Sequence, residues 1–257
     1  MLKNKNLNQE INWLLKEKHN SQLTNKAKKD IERLKKGEPV DYVIGFTDFL
    51  GCKIDLSYKP LIPRVETEFW VGKFIEELKN LLKVEDCKLK IRCLDIFAGS
   101  GCIALAIFKN TNILLCDIAE KDNNLVKQIK KNLKLNKIDK KRYKIIQSDI
   151  FSNIKGKYDF ILANPPYIPI KNKNKIHKST LKYEPSNALF GGKDGLYFIK
   201  KFLKQAKDYL KENGIIYMEF DSLQKKSIEG MLKKENYSNW QFYKDQYGKW
   251  RYVRISK

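Results

Sequence analysis

From residue 91 onward, short apolar runs alternate with stretches of helical periodicity, and each run ends on an acid or an amide. Residues 91–94 lead to Asp95, 112–116 to Asp117, 143–147 to Asp149, and 160–163 to Asn164. Helical spacing follows at about 120–135 and 196–210, then a fifth run at 214–220 and a further helix at about 222–233. Strands separated by helices cannot pair through tight hairpins, so they form a parallel sheet covered on both faces. A terminal pair, 240–243 and 250–255, joined by D-Q-Y-G-K, reads as a hairpin that completes seven strands. The expected fold is therefore a doubly wound α/β sheet. In such a sheet ligands bind at the carboxyl ends of the strands near the switch point, which predicts that Asp95, Asp117, Asp149 and Asn164 face one crevice.

Two of these strand ends carry unusual turns. After the first comes D-I-F-A-G-S-G-C-I-A, where Gly99 and Gly101 let a ligand approach the backbone and the next helix directs its N–H groups into the same space. The G-x-G-x-x-G spacing of a dinucleotide site is absent. After the fourth comes A-N-P-P-Y-I-P. Pro165 and Pro166 offer no N–H, and each holds the residue before it extended, so Asn164 and Pro165 form a stiff, open corner. Their oxygens are free acceptors, and Tyr167 adds a flat ring. A planar NH2 group can donate both hydrogens there, which leaves its lone pair directed elsewhere. Prolines also end strands with no catalytic purpose; the glycine turn upstream decides between the two readings.

The rest of the chain bounds these readings. Its 257 residues hold one domain of this size and a small appendage. No run of about 18 apolar residues is present to span a membrane, and residues 1–13 lack the apolar core of a secretory signal, so a cytoplasmic protein is expected. Cys52, Cys87, Cys93, Cys102 and Cys116 form no C-x-x-C pair and read as reduced core residues; with only His19 and His177 beside them, no metal site is expected. The formal net charge of +22 suits contact with nucleic acid or the ribosome. Lysines nevertheless run through nearly every segment, as a coding bias also produces. Residues 1–38 read as two short lysine-rich helices, 39–66 as a linking hairpin (42–56, turning near Thr47 and Asp48) and loop, and 67–257 as the α/β domain.

The glycine turn resembles motif I of the class I S-adenosylmethionine-dependent methyltransferases, whose fold is Rossmann-like, and Asn-Pro-Pro-Tyr resembles the signature of their amino-group-methylating branch. The blocks P-V-D-Y-V-I-G, P-L-I-P-R-V-E-T-E, L-D-I-F-A-G-S-G-C-I-A, Q-S-D-I-F, Y-E-P-S-N-A-L-F-G-G-K-D-G-L and D-Q-Y-G-K-W-R follow one another as in the HemK/PrmC family, over roughly residue 39 to the C-terminus. The resemblance implies transfer of a methyl group from S-adenosylmethionine, leaving S-adenosylhomocysteine, to the side-chain amide nitrogen (N5) of the glutamine in the Gly-Gly-Gln motif of peptide chain release factors. Asn-Pro-Pro-Tyr alone also suits an adenine-N6 nucleic-acid methyltransferase, and a non-catalytic RNA-binding protein of this fold is a further rival. The expected catalytic residues are Asn164, Pro165, Pro166 and Tyr167. The expected cofactor residues are Asp95, Phe97, Ala98, Gly99, Ser100, Gly101, Asp117, Asp149, Ile150 and Asn164. Asp117 is assigned the ribose hydroxyls and Asp149 the adenine amino group, with Ile150 and Phe151 as the bed for the base. A monomer is expected. Glu66 and Thr67 are candidates to close the crevice or to support the Asn-Pro-Pro-Tyr turn. Phe97 stands where the family usually has glycine, which predicts that the backbone there does not depend on a positive φ. Ile150 stands where a tryptophan is common, Val65 replaces a proline, and the helical N-terminal part is about half the length the family suggests.

Overall fold

The computed structural model describes residues 2–84, 91–112 and 115–257; Cys87 and the 113–114 part of the expected second strand lie outside them. Three helices come first: α1 (Leu2–His19), α2 (Asn25–Lys35) and α3 (Val40–Ile44). The Thr24 hydroxyl caps α2 by accepting the Ala27 N–H at 3.1 Å. Leu14, Leu34, Val40, Val43 and Ile44 give these helices a small core of their own.

The expected hairpin is shifted. Helix α3 occupies the start of that stretch, and the strands are β1 (Phe46–Phe49) and β2 (Cys52–Asp55), turning at Leu50 and Gly51 rather than near Thr47 and Asp48. Both turn residues have positive φ, +46° and +79°, which a two-residue hairpin needs to match strand twist. Leucine carries no turn signal. It is held there from outside: its N–H donates to Glu68 at 2.8 Å and its carbonyl accepts from Asn110 at 2.9 Å.

The main sheet follows helix α4 (Val65–Val84). It comprises β3 (Arg92–Ile96), β4 (Leu115–Glu120), β5 (Tyr143–Gln147), β6 (Tyr158–Ala163), β7 (Leu210–Glu219), β8 (Asn239–Lys244) and β9 (Trp250–Ser256). Their spatial order is β5-β4-β3-β6-β7-β9-β8, with the first five strands parallel and β9 antiparallel to both its neighbours. The chain reverses direction of growth between β3 and β6, which lie side by side with Ile96 paired to Ala163. Helices α5 (Cys102–Asn110) and α6 (Asn123–Leu135) pack with α4 on one face. Helices α9 (Tyr197–Ala206) and α10 (Lys225–Lys234) pack on the other, and the short α7 (Lys178–Tyr183) and α8 (Ser186–Leu189) follow β6.

Side-chain alternation along the strands separates the two cores. In β6, Phe160 and Leu162 join Trp70, Phe74 and Leu78 of α4, while Ile161 and Ala163 join Ile199, Phe202 and Leu203 of α9. The hairpin is part of the first core through Phe49, Cys52, Ile54 and Leu56. Its outer edge is covered by amides spaced one helical turn apart on α6. Gln128 accepts the Tyr58 N–H at 2.8 Å, Asn132 accepts that of Asp55 at 2.8 Å, and Asn136 accepts that of Lys53 at 3.1 Å. Asn132 also donates to the Ser100 carbonyl at 2.9 Å, tying hairpin and glycine turn together.

Asn132 is fully buried, so Asn132→Leu strands the Asp55 N–H and the Ser100 carbonyl; urea unfolding should show a loss of about 2–3 kcal/mol, against under about 1 kcal/mol for Asn136→Ala.

Candidate active site

Because β3 and β6 are neighbours in register, the turns that leave them emerge side by side: Phe97 follows Ile96, and Asn164 follows Ala163. Between and around them lies a cavity of about 460 Å³, within the range of small-molecule and cofactor sites. Of the expected cofactor residues, Phe97, Ala98, Gly99, Ser100, Asp149, Ile150 and Asn164 line it, together with Pro166 from the Asn-Pro-Pro-Tyr turn. Asp95, Gly101, Asp117 and Phe151 are not among its lining residues, nor are Pro165 and Tyr167.

Asp117 needs correction. Strand β4 does not end there but runs on to Glu120, so Asp117 sits three residues back, about 10 Å from the carboxyl end at strand spacing. Its buried carboxylate accepts from the Arg92 guanidinium at 2.6 Å and the Tyr158 hydroxyl at 2.7 Å. The acid at the cavity is Glu120. One of its oxygens accepts the Gly99 N–H at 2.8 Å, and the other accepts those of Lys121 and Asp122 at 2.8 and 2.9 Å. Burial raises its pKa despite those donors. Ile118 and Ala119 were the signal: the apolar run resumes after Asp117, and the acid that ends it is the next one.

Asp95 is also reassigned. It lies within β3, wholly buried, and its Oδ2 accepts the Ala104 N–H at 3.1 Å in the first turn of α5, where a helix favours negative charge. Its Oδ1 has no hydrogen-bond partner among the described residues. Phe151 is likewise not a bed for a base: it is stacked in the second core between Phe202 and Tyr209, with the Tyr209 ring 4.4 Å away. Ile150 and Phe198 supply the apolar lining instead.

Phe97 overturns its expectation most plainly. Its φ is +59°, and that of Ile150 is +54°, a region that costs a side-chain-bearing residue roughly 1–2 kcal/mol. Packing outweighs that cost. The Phe97 ring meets Phe198 edge-on at 6.1 Å, and the Ala98 N–H is held by the Ala119 carbonyl at 3.1 Å. At Ile150, the Ser148 hydroxyl donates to the residue's own carbonyl at 2.8 Å.

The Asn-Pro-Pro-Tyr turn is clamped from two sides. On the outer side, the G-G-K-D-G segment lies against it: the Ile168 N–H donates to Leu189, the Gly191 N–H to Ile168, and the Gln224 amide to the carbonyls of Tyr167 and Gly195. A side chain on Gly195 would sit 2.2 Å from the Tyr167 carbonyl. On the inner side stands Glu219, at the end of β7 and buried. One of its oxygens accepts from the Thr67 hydroxyl and the Trp70 indole, both at 2.7 Å; the other accepts from the Tyr167 hydroxyl at 2.9 Å. Burial raises the Glu219 pKa against these three donors, and it drives that of the Tyr167 phenol well up. The Asn164 amide nitrogen donates to the Thr67 oxygen at 3.2 Å. Thr67 thus supports the turn, one of the two roles read from the sequence; helix α4 begins at Val65, which places Glu66 in its first turn.

Two of the sequence blocks meet over the cavity. Glu184 of Y-E-P-S, buried, accepts the Ile62 N–H at 3.1 Å and the Arg64 guanidinium of P-R-V-E at 2.8 and 2.9 Å. Arg64 and Asn187 both line the opening. The four described cysteines are buried and free, and no metal-binding cluster of His, Cys, Asp and Glu occurs among the described residues.

Residues 76–184 match the family described as "Methyltransferase small domain". A release factor glutamine methyltransferase from Borreliella burgdorferi is 37% identical over 225 residues, which are 84% of this chain and 74% of that protein. The chain belongs to the release factor glutamine methyltransferase family. Its counterpart in Streptococcus pneumoniae is 34% identical over 228 residues, 87% of this chain and 77% of the relative. Among solved structures, the N-terminal domain of human METTL16 in complex with SAH superposes with a TM-score of 0.55 at 18% identity, covering 81% of this chain and 76% of that one. The likeness extends the shared methyltransferase fold beyond detectable sequence similarity. No described helix of this family member is long and apolar enough to cross a membrane.

Gly195→Ala should lower turnover at least about tenfold, whereas Gly248→Ala, with a similar φ of +74° but open space around it, should cost only about 1 kcal/mol and leave turnover intact. Equal effects in a steady-state assay would remove the clamp.

Burial pushes the Asp95 carboxyl from 3.8 up to about 7. An acid raised in this way stays protonated in the folded state, so its favourable contribution is full below the unfolded value and is lost as pH rises to about 7. Asp95→Asn, neutral at every pH, should therefore raise the melting temperature more at pH 8 than at pH 5; an equal gain at both contradicts the assignment.

Proposed function

We propose that this methyltransferase transfers the methyl group of S-adenosylmethionine to the side-chain amide nitrogen of a glutamine presented by a peptide chain release factor, within its Gly-Gly-Gln motif. The observation that carries the reading is Asn164 at the edge of a cavity walled by the glycine turn, on a corner whose every neighbour is fixed. Family membership supplies the protein substrate.

The cavity residues suit the cofactor. Gly99 lies at φ +56° beside a buried carboxylate, and a carboxylate at the end of the second parallel strand suits a pair of ribose hydroxyls. Glu120, not Asp117, takes that part. Phe97, Ile150 and Phe198 offer apolar surface to the base, and Asp149, half-exposed and paired to Lys121 at 2.8 Å, remains at its polar edge. When bound, S-adenosylmethionine supplies an electrophilic methyl carbon on a good leaving group.

The protein's part is alignment and electrostatics. A carboxamide nitrogen is a poor nucleophile because its lone pair is delocalised into the carbonyl. The Asn164 side-chain oxygen and the Pro165 carbonyl accept its two N–H bonds, and these bonds strengthen as the nitrogen pyramidalises and its hydrogens become acidic. Tyr167, tied to Glu219, holds the corner in place; an N-methylated amide cation is acidic enough to give its surplus proton to water, so no strong general base is needed. Arg64 and Glu184 brace the opening where a glutamine-bearing loop enters. The lysine-rich segment 170–182 forms the adjoining rim and touches the N-terminal helices, Ser179 donating to the Gly37 carbonyl and Tyr183 to that of Lys36. A release factor therefore meets one surface made from both parts of the chain.

Asn164→Ala should cut turnover by roughly 100-fold or more with cofactor affinity nearly unchanged. Glu120→Ala should weaken cofactor binding at least about tenfold by calorimetry, while Asp117→Ala should lower thermal stability and leave the affinity of the folded protein close to wild type. Radiolabelled cofactor offered with a release factor and with DNA in parallel tests the substrate; label in the DNA alone would refute the reading.

A further inference from the structure

We propose that Glu219 is a positioning residue that fixes which way the Asn164 amide faces, through a one-way chain of hydrogen bonds across Thr67. The proposal rests on the reading of Asn164 as acceptor for the substrate amide and explains why that acceptor points the right way.

An asparagine side chain has two arms of nearly equal shape, one accepting and one donating. A glutamine NH2 needs the accepting arm; the other arm would oppose it donor to donor. Asn164 by itself does not choose. Its neighbour Thr67 does not choose either, since a hydroxyl both donates and accepts. The choice is made one residue further away. The Glu219 oxygen that meets Thr67 also receives the Trp70 N–H, which can only donate, so that oxygen is an acceptor and the Thr67 hydroxyl gives its hydrogen to it, 2.7 Å away. What remains on the Thr67 oxygen are lone pairs, and only the NH2 arm of Asn164 can satisfy them, at 3.2 Å. The oxygen arm is then on the opposite side, on a residue that lines the cavity.

Glu219 is held in this role by groups that cannot reverse. The Trp70 indole is a donor only, and it sits at 2.7 Å from the same carboxylate oxygen that receives Thr67. The Tyr167 hydroxyl takes the other oxygen, so one carboxylate orients both ends of the Asn-Pro-Pro-Tyr turn. Arg251 on the adjoining strand, paired to Asp245 at 3.0 Å, adds a positive charge that favours the carboxylate form of Glu219.

Three substitutions separate direction from mere packing. Thr67→Val keeps the shape and removes the relay; its kcat on a release factor should fall at least about tenfold, with the cofactor KM within about twofold of wild type. Thr67→Ser restores the hydroxyl and should recover to within about threefold of wild type. In Glu219→Gln, the Trp70 N–H keeps the new carbonyl oxygen toward Thr67, so the relay survives and kcat should stay within about fivefold. Wild-type kcat in Thr67→Val, a Thr67→Ser as poor as the valine variant, or a glutamine variant as poor as it, would overturn the proposal. The orientation is also read without any substrate. In NMR spectra of the wild type, the Asn164 side-chain NH2 should show contacts to the Thr67 methyl group that vanish in Thr67→Val; their absence from the wild type sinks the relay. A wild type that methylates no release factor would instead refute the substrate reading, while the NH2 contacts still decide the orientation.

Discussion

The pairing of β3 with β6 is the constraint on which the site depends. These strands are far apart in sequence, yet their register puts Ile96 opposite Ala163, so the glycine turn and the Asn-Pro-Pro-Tyr corner leave the sheet as neighbours. Nothing local in either motif brings them together. The switch in strand order also opens the sheet's upper edge there, since the connections from β3 and β6 diverge to opposite faces. Cavity, glycine turn and acceptor corner are three consequences of one hydrogen-bonded strand pair.

Around that pair the protein buries five acids, Asp95 and Asp117 within the strands and Glu120, Glu184 and Glu219 at strand ends or in a loop. Each is costly in isolation, and donors meet both oxygens of Glu120, Glu184 and Glu219. Asp117 joins β4 to β3 and β6 through Arg92 and Tyr158, Glu184 joins two loops, and Glu219 joins α4 to the Asn-Pro-Pro-Tyr turn. Asp95 keeps one buried oxygen unanswered, and burial lifts its pKa. The other four act as fixed acceptors that set the direction of surrounding donors. Such buried polar contacts hold the corner still.

Much of this was legible before any coordinates. The alternation of strands and helices after residue 91 gave the sheet, and β5 coincides with its expected bounds, because an apolar run between turn-forming residues has few alternatives. Asn164 and the glycine turn were found because proline and glycine restrict or free the backbone locally. Where signals were not local the reading slipped. Leu50, Phe97 and Ile150 all adopt positive φ, held by a distant carboxylate, a ring cluster or a serine hydroxyl, none of which their own sequence neighbourhood announces. The acid at the end of β4 was misassigned to Asp117, since a buried aspartate in mid-strand looks like a strand end until its partners Arg92 and Tyr158 are known.

The sequence by itself determined the fold class, the stiff corner at Asn164 and the glycine turn, because each follows from backbone restrictions and periodicities that act within a few residues. Only the tertiary structure decided that Glu120 rather than Asp117 faces the cavity, that Arg64 and Glu184 brace its opening, and that Glu219 reaches Asn164 through Thr67. Those choices depend on which side of a strand a carboxylate points and on which donors other elements bring to it, and groups from 21 to 152 residues apart in the chain meet only when the sheet has formed.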